Sequence, residues 1–376
     1  MKKLNLGMIG GGIGAFIGNT HRVAARITNQ FELVGGAFDA DPEAGKKFAI
    51  QEGLPLNRTY ATIDDLIKGE NALPEGERMD VVAVVTPNFL HFNMAKKLLL
   101  NGYHIVCEKP VTTSSAEAIE LQKIVNDKKL VFGLAHAYTG YPMVRQMREM
   151  IQGGEIGDIQ RIDGQYYQGW INPIIHGKGS HLSTWRLDPR VSGISCCMGD
   201  IGVHAFNLIE YTTGQPVTKV LADLNTLLPD VKLDIDGTVL LRFDGNFKGV
   251  IRSSQIATGE ENNIVITVYG SKAGLRWEQE NPNYLTMLIE GEPRKILKPG
   301  NAYNSELAEM SYTFPSGHPE GLFDAFANLY KGVAKAINGK DYNVAEFPTI
   351  VDGVRGMKFI ENVVKSNADG NVWIEL

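Results

Sequence analysis

Two short runs carry residue types that could do chemistry. The first is Ile105-Val106-Cys107-Glu108-Lys109-Pro110. Two β-branched residues lead into it, so it reads as the end of a buried strand. Pro110 cannot continue a ladder and turns Lys109 away from helical geometry, and X-Pro is the usual place for a cis bond. A lysine at the carboxyl end of a strand faces the crevice where open α/β sheets bind ligands. An ammonium there can stabilise a developing alkoxide or share a proton. The plain alternative is a surface turn with a solvated lysine. The second run is Gly199-Asp200-Ile201-Gly202-Val203-His204, entering a helix that extends to about Tyr211. Asp200 and His204 stand four apart, hence on one helical face. A carboxylate beside an imidazole sets its tautomer and raises its pKa, the wiring of a general base. Here the alternative is a capping Asp200 and a core His204.

A third run binds rather than reacts. Leu4 to Ile9 reads as a buried strand, Gly10-Gly11-Gly12-Ile13-Gly14-Ala15 follows, and a helical stretch runs from Phe16 to Ile27. This is G-x-G-x-x-A on Gly10, Gly12 and Ala15. The first glycine permits a tight turn, the second lets backbone approach a pyrophosphate, and the small third residue lets helix and strand pack closely. The helix N-terminus then offers free N–H groups and positive dipole. A second strand, Glu32 to Phe38, ends at Asp39, at the separation expected of an acid on the adenosine ribose. A carboxylate there repels a 2′-phosphate, which favours NAD over NADP. Asp39 could instead only open the turn before Asp41-Pro42, where Asp41 caps a helix. Asp80 to Val85 is a continuous apolar strand ending in Thr86-Pro87-Asn88, with His91 one turn later; His91 is either functional or an ordinary helix residue.

These runs need elements to hold them. Strand and helix alternate up to a sixth strand at Val131 to Ala135, which argues a doubly wound parallel sheet. Thr62 and Ser114 open further helices as capping residues. The first domain is therefore placed at 1–133 and the second at 134–376, with the C-terminal helices able to pack back on the first. The second begins with a helix, Pro142 to Gln152, and a strand, Ile159 to Gln168. A long irregular stretch, Gly169 to Met198, contains Trp170, Trp185 and Arg186, suited to stacking and charge-assisted hydrogen bonds near a cofactor or sugar. Runs from Val217 to about Leu297 recur with turns between, including a hairpin at Asp244-Gly245-Asn246, and indicate an antiparallel sheet. His318-Pro319-Glu320-Gly321 opens a helix to Ile337, and Pro348 to Ser366 is the last.

Composition excludes several classes. The 376 residues suffice for two domains, and the net charge of −6 gives no basic surface for nucleic acid or anionic lipid. Cys107, Cys196 and Cys197 form no disulfide framework and suit a reducing cytosol. No apolar run is long enough to span a bilayer, and the start lacks an h-region, so the chain is expected to be cytoplasmic. His176, His181 and the cysteine pair make no convincing metal set, and no metal is expected.

Together, the glycine turn with Asp39, Cys107-Glu108-Lys109-Pro110 and Gly199 to His204 resemble the Gfo/Idh/MocA oxidoreductases, which include glucose–fructose oxidoreductase and inositol dehydrogenase. The resemblance spans the chain. It implies an N-terminal Rossmann domain, a C-terminal α/β domain with a large, mostly antiparallel sheet, and dimers or tetramers through the open sheet face. It also implies NAD(P) chemistry on a secondary alcohol of a sugar, glycoside or cyclitol. Lys109, Asp200 and His204 match the family's catalytic triad. Cofactor contacts are expected from Gly10, Gly12, Ile13, Ala15 and Asp39, from Thr86, Asn88 and His91, from Glu108 and Lys109, and from Trp185 and Arg186. Substrate contacts are expected from Lys109, Tyr138, Tyr167, Asp200, His204 and His318. Trp185-Arg186 and His318 to Gly321 match a longer-chain branch acting on glycosides or anhydrosugars. Two places depart from the common pattern: Ala135-His136-Ala137-Tyr138 stands where many members have Asn-x-Arg, and Cys196-Cys197-Met198 replaces a glycine-rich run. Other branches include a glycosidase that uses NAD transiently and a non-enzymatic sensor; a sensor has no need of Lys109, Asp200 and His204.

Overall fold

In the computed structural model, residues 3–177, 185–227, 231–339, 343 and 345–376 are described. They divide into two units. The first comprises Met1–Thr112, Ala116–Ala137 and Leu322–Val354; the second comprises Thr113–Ser115, Tyr138–Gly321 and Arg355–Leu376.

The first unit is built on five strands among the described residues: β1 (Leu4–Gly10), β2 (Phe31–Ala37), β3 (Val81–Val85), β4 (His104–Cys107) and β5 (Phe132–Leu134). All pair in parallel, in the order β2-β1-β3-β4-β5. The stretch from Val131 to Ala135 is thus the fifth strand and not the sixth. Between β2 and β3 the chain forms helices, Pro42–Gln51 and Ile63–Asn71, and a short 3-10 turn, with no further strand among the described residues. Both helices start as their sequences dictate: Asp41 accepts from the Glu43 N–H with Pro42 in the first turn, and Thr62 accepts from the Asp65 N–H. Every residue of β3 is buried, as a parallel strand covered on both faces requires. The chain leaves β1 for β2 on one side and reaches β3 on the other, so the crevice opens beyond Gly10 and Val85.

The boundary expected at 133/134 is displaced, for a packing reason. The helix Leu322–Ile337 supplies Phe326, Leu329, Tyr330 and Val333 to a core that also holds Met8, Phe31, Val81 and Phe347. The segment after it adds to the sheet edge, where the Leu134 N–H donates to the Pro348 carbonyl at 2.8 Å. Together with Ala24 and Ala25 of the helix Phe16–Thr28, these residues cover one face of the sheet.

The second unit holds nine strands among its described residues. They are β6 (Ile159–Tyr167), β7 (Val217–Asn225), β8 (Asp236–Phe243), β9 (Lys248–Ser254), β10 (Asn263–Gly270), β11 (Gly274–Glu278), β12 (Leu285–Leu288), β13 (Lys295–Leu297) and β14 (Ile374–Glu375). Their order is β13-β12-β11-β10-β6-β9-β8-β7-β14, antiparallel except for β6 with β9. The helix Val203–Thr213 lies on this sheet, close enough that a Cβ on Gly164 would meet Ile209 Cδ1 at 3.1 Å. That close approach puts the start of the helix over the inward residues of β6 and β9.

Candidate active site

In the first unit, the turn after β1 forms a cradle. Gly10 has φ +80°, and a Cβ on Gly12 would sit 2.8 Å from the Phe38 carbonyl, which already accepts from the Gly12 N–H at 3.1 Å. Only glycine allows the turn to press so closely on the end of β2. The packing role expected of Ala15 belongs instead to Gly18: a Cβ there would lie 2.4 Å from Gly11 Cα, whereas Ala15 is half-buried at the N-cap. The helix Phe16–Thr28 begins with no side-chain cap and no acidic residue in its first turn. Its terminal N–H groups and dipole are left to an anion. Ile13 is exposed beside them. The Thr86 hydroxyl is buried without a hydrogen-bond partner, and its methyl is 3.1 Å from where a Gly10 Cβ would stand. An uncapped helix end, a glycine cradle and an orphaned hydroxyl together fit a dinucleotide's phosphates and polar groups. Asn88, expected as a cofactor contact, begins the helix Asn88–Leu100.

Asp39 opens the turn, as one of its two readings has it, and also stands beside the glycine turn. Oδ1 accepts from the Asp41 N–H at 3.0 Å and opens the turn, while Oδ2 lies beside Gly12, 3.4 Å from where its Cβ would be. His91 is fully buried and faces two carbonyls at 2.8 Å, Pro110 through Nδ1 and Thr86 through Nε2. Burial lowers its pKa more than these acceptors and Glu108 raise it. A ring so enclosed braces the Thr86 turn against Pro110 and has no face to offer a cofactor.

Glu108 likewise turns inward. Its Oε1 lies 2.9 Å from His21 Nε2 and its Oε2 accepts from the Lys109 N–H at 3.1 Å. Burial pushes this carboxyl up, but the His21 hydrogen bond and the nearby His21 and Lys109 charges outweigh it, leaving Glu108 below its usual range. His21 Nδ1 in turn meets the Tyr330 hydroxyl at 2.8 Å. The expected cofactor contact from Glu108 is therefore replaced by a buried brace that fixes the backbone at Lys109. The Lys109–Pro110 peptide is cis. His136 is buried, and burial, with the Lys109 charge second, pushes its pKa down to about 3.

In the second unit, His204 is held in an aromatic corner. Tyr138 stands edge-on with ring centroids 4.8 Å apart, and Tyr166 lies at 6.1 Å. The two phenols share a 2.6 Å hydrogen bond, and Asn262 ties both, accepting from Tyr166 at 2.6 Å and donating to Tyr138 at 3.2 Å. Gln168 and Trp170 extend the chain of hydrogen bonds. Burial first, then Tyr138 and the Asp200 charge, raise the Tyr166 pKa well above the ordinary phenol value. Tyr166 and not Tyr167 faces His204: inward positions on β6 are Ile162, Gly164 and Tyr166, and Tyr167 belongs to the opposite face. The alternation of that strand was the available signal. His318 lies on an exposed loop with Nδ1 2.9 Å from the Pro315 carbonyl, outside the hydrogen-bonded cluster around His204. His181 falls outside the described residues.

Asp200 departs from plain helical spacing. It sits in a π-helical turn, Met198–Gly202, that runs into the helix of His204; such turns cluster at functional sites. The buried Asp234 shapes the approach to it, accepting from the Cys196 N–H at 3.1 Å and the Met198 N–H at 2.8 Å. Arg186, expected at the cofactor, spends its charge on Asp200 instead, with Nε 3.4 Å from Oδ2, while its guanidinium stacks on Trp185. Gln255 Nε2 donates to the same Oδ2 at 2.9 Å. Tyr166, Asn262, Asp234 and Gln255 all escaped the sequence reading.

Comparison with known proteins identifies the family of both halves of the chain. Residues 4–136 match the oxidoreductase family with an NAD-binding Rossmann fold (GFO/IDH/MocA), and residues 144–276 match the GFO/IDH/MocA C-terminal domain. The uncharacterized oxidoreductase YfiI of Bacillus subtilis is 33% identical over 383 residues, covering 100% of this chain and 97% of that protein. Levoglucosan dehydrogenase of Pseudarthrobacter phenanthrenivorans is 27% identical, covering 100% and 99%. The crystal structure of an inositol dehydrogenase homolog from Azotobacter vinelandii complexed with NAD+ has TM-score 0.94 at 32% identity, covering 100% of this chain and 98% of that one. A second structure of that homolog holds NADH and myo-inositol. Among the described residues no helix is long and apolar enough to cross a membrane.

Proposed function

Because this chain belongs to the Gfo/Idh/MocA family of NAD-binding oxidoreductases, we propose that it is an NAD-dependent dehydrogenase of a secondary alcohol on a polyhydroxylated ring, a sugar, glycoside or cyclitol. The observation that carries this reading is the corner around His204. Two phenols, a carboxamide and the nearby Asp200 carboxylate give a ring-shaped polyol both an apolar wall and several hydrogen-bond partners. Relatives point the same way, since one is named for levoglucosan and another binds myo-inositol.

In this reading His204 accepts the hydroxyl proton at a ring nitrogen and Asp200 keeps the resulting imidazolium in place. Lys109 supplies a cation able to stabilise a developing alkoxide, the role that the family resemblance implies for it. NAD, when bound, supplies the acceptor for the hydride leaving the same carbon. The glycine turn and the first helix hold its pyrophosphate, and Asp39 takes the adenosine ribose, which favours NAD over NADP. The enzyme works in the cytoplasm as a dimer or tetramer.

The test is a panel of sugars, glycosides and inositols incubated with NAD and with NADP, followed by absorbance of the reduced cofactor. Net NADH formation with a ring polyol is expected. Replacing Lys109 with Ala should lower kcat by roughly a hundredfold or more with NAD affinity kept. Release of an aglycone without net NADH, or a K109A variant as fast as the parent, would overturn the proposal.

A further inference from the structure

Asp200 is gripped from outside the turn that carries it. Gln255 follows β9 and is fully buried. Its backbone is pinned both ways: its N–H donates to the Ile235 carbonyl at 2.9 Å, and its carbonyl accepts from the Ile171 N–H at 3.1 Å. Its carboxamide turns nitrogen toward Asp200, because a carboxylate accepts and does not donate, and its oxygen accepts from the Cys196 thiol at 3.2 Å, which supports the same orientation. With the oxygen committed to sulfur, Nε2 faces Asp200 Oδ2 at 2.9 Å. Cys196 is itself anchored by Asp234, and its carbonyl accepts from the Asp200 N–H at 2.7 Å. Residue 196 thus controls Asp200 twice, at the backbone directly and at the carboxylate through Gln255.

We propose that Gln255, oriented by the Cys196 thiol, is a positioning residue that holds the Asp200 carboxylate in one rotation and as the anion that His204 needs. The proposal rests on the function proposed above. Its chemistry is specific. A neutral N–H donor stabilises the carboxylate without adding charge, and it lands on the oxygen that Arg186 also approaches. The charged and titratable groups around Asp200 are Arg186 from the preceding loop, Tyr166 on β6, Cys197, and His204 on the following helix, with Asp234 beneath the turn. Of these, Arg186 favours the anion, and the amide adds a neutral donor on the same oxygen. The thiol at 196 thus supplies the donor for the amide oxygen.

The experiment measures kcat and kcat/KM against pH for Gln255→Leu, Gln255→Glu, Cys196→Ala and Cys196→Ser, beside NAD affinity by fluorescence. Q255L should lower kcat between roughly tenfold and a hundredfold, with the acid limb of the profile moved to higher pH and NAD affinity within about twofold. Q255E can donate only while protonated, so its activity should fall with rising pH where the parent's does not. C196S retains a donor and should stand well above C196A. If either Gln255 variant fails to fold, the two Cys196 variants carry the test, since they differ by one atom. Parental pH profiles in Q255L and Q255E, or equal activity of C196A and C196S, overturn the inference while leaving the proposed function standing, provided H204A abolishes activity. No polyol oxidation by the parent, or full activity in H204A, removes the proposed function and this inference with it.

Discussion

At the scale of single residues, Tyr166 and Tyr167 are adjacent in sequence and opposite in consequence. Tyr166 donates to Asn262 and accepts from Tyr138 against His204, while Tyr167 lies on the other side of β6. Tyr166→Phe removes one hydroxyl and takes one hydrogen-bond partner each from Asn262 and Tyr138, a buried polar loss worth about 1 kcal/mol. Its kcat/KM for the polyol should fall by roughly tenfold or more, and Tyr167→Phe should leave it within about twofold. Steady-state kinetics of the two variants decide it, and equal effects would remove Tyr166 from the substrate corner. The contrast also shows what a sequence can disclose about such a site. Lys109, Asp200 and His204 announce themselves because each sits in a local string whose neighbours imply a strand end or a helix start. Tyr166, Gln255 and Asn262 come from β6, the end of β9 and the start of β10, and meet only through sheet register. No local string encodes that register, although the two-residue alternation of β6 marks Tyr166 as inward.

At the scale of elements, the parallel sheet of the nucleotide-binding unit and its flanks have collected imidazoles whose protonation burial opposes. His91, His104 and His136 are all held below the ordinary histidine range, burial being the largest cause in each; His136 is pushed down to about 3. A histidine whose folded pKa lies below its unfolded value binds fewer protons when folded. Stability is then complete above about pH 6.5 and falls as pH drops toward the folded value. At about 1.4 kcal/mol per unit, His136 alone contributes a loss on the order of 1–2 kcal/mol between pH 6.5 and 5, before carboxylates begin to titrate. Urea denaturation should show that slope, and His136→Gln should flatten it; a variant with the parental slope would contradict the assignment. Such burial was not legible beforehand. In the sequence His136 is only a departure from Asn-x-Arg, and His91 is either functional or an ordinary helix residue, because no local string says that carbonyls of Thr86 and Pro110 close over the ring. The strands themselves were legible, since all-apolar runs such as Val81 to Val85 have one comfortable fate in a doubly wound sheet.

At the scale of the whole molecule, the nucleotide-binding unit is finished late. Its sheet and glycine turn come from the first 137 residues, yet Leu322–Val354 belongs to it, after nearly two hundred residues devoted to the other unit. The energetic weight of that return follows from what it buries. Phe326, Leu329, Tyr330, Val333 and Phe347 are each at most 5% exposed. At about 1.5–3 kcal/mol for each fully buried side chain they contribute on the order of 10 kcal/mol, as much as the net stability of an ordinary domain. Tyr330 adds a second function, because its hydroxyl meets His21, which holds Glu108, which holds the backbone of Lys109. The late helix therefore reaches the candidate lysine through three hydrogen bonds within one unit. Two changes separate these contributions. Phe326→Ala should cost about 3–5 kcal/mol, read as a lowered denaturation midpoint, with kcat near parental while the protein is folded. Tyr330→Phe keeps the ring and its packing, so it should cost less than about 2 kcal/mol, yet lower kcat several-fold because His21 loses one of its two anchors. A Tyr330→Phe variant with parental kcat would confine the late helix to packing, and one that unfolds like Phe326→Ala would show that the hydroxyl carries far more of the stability than one hydrogen bond should.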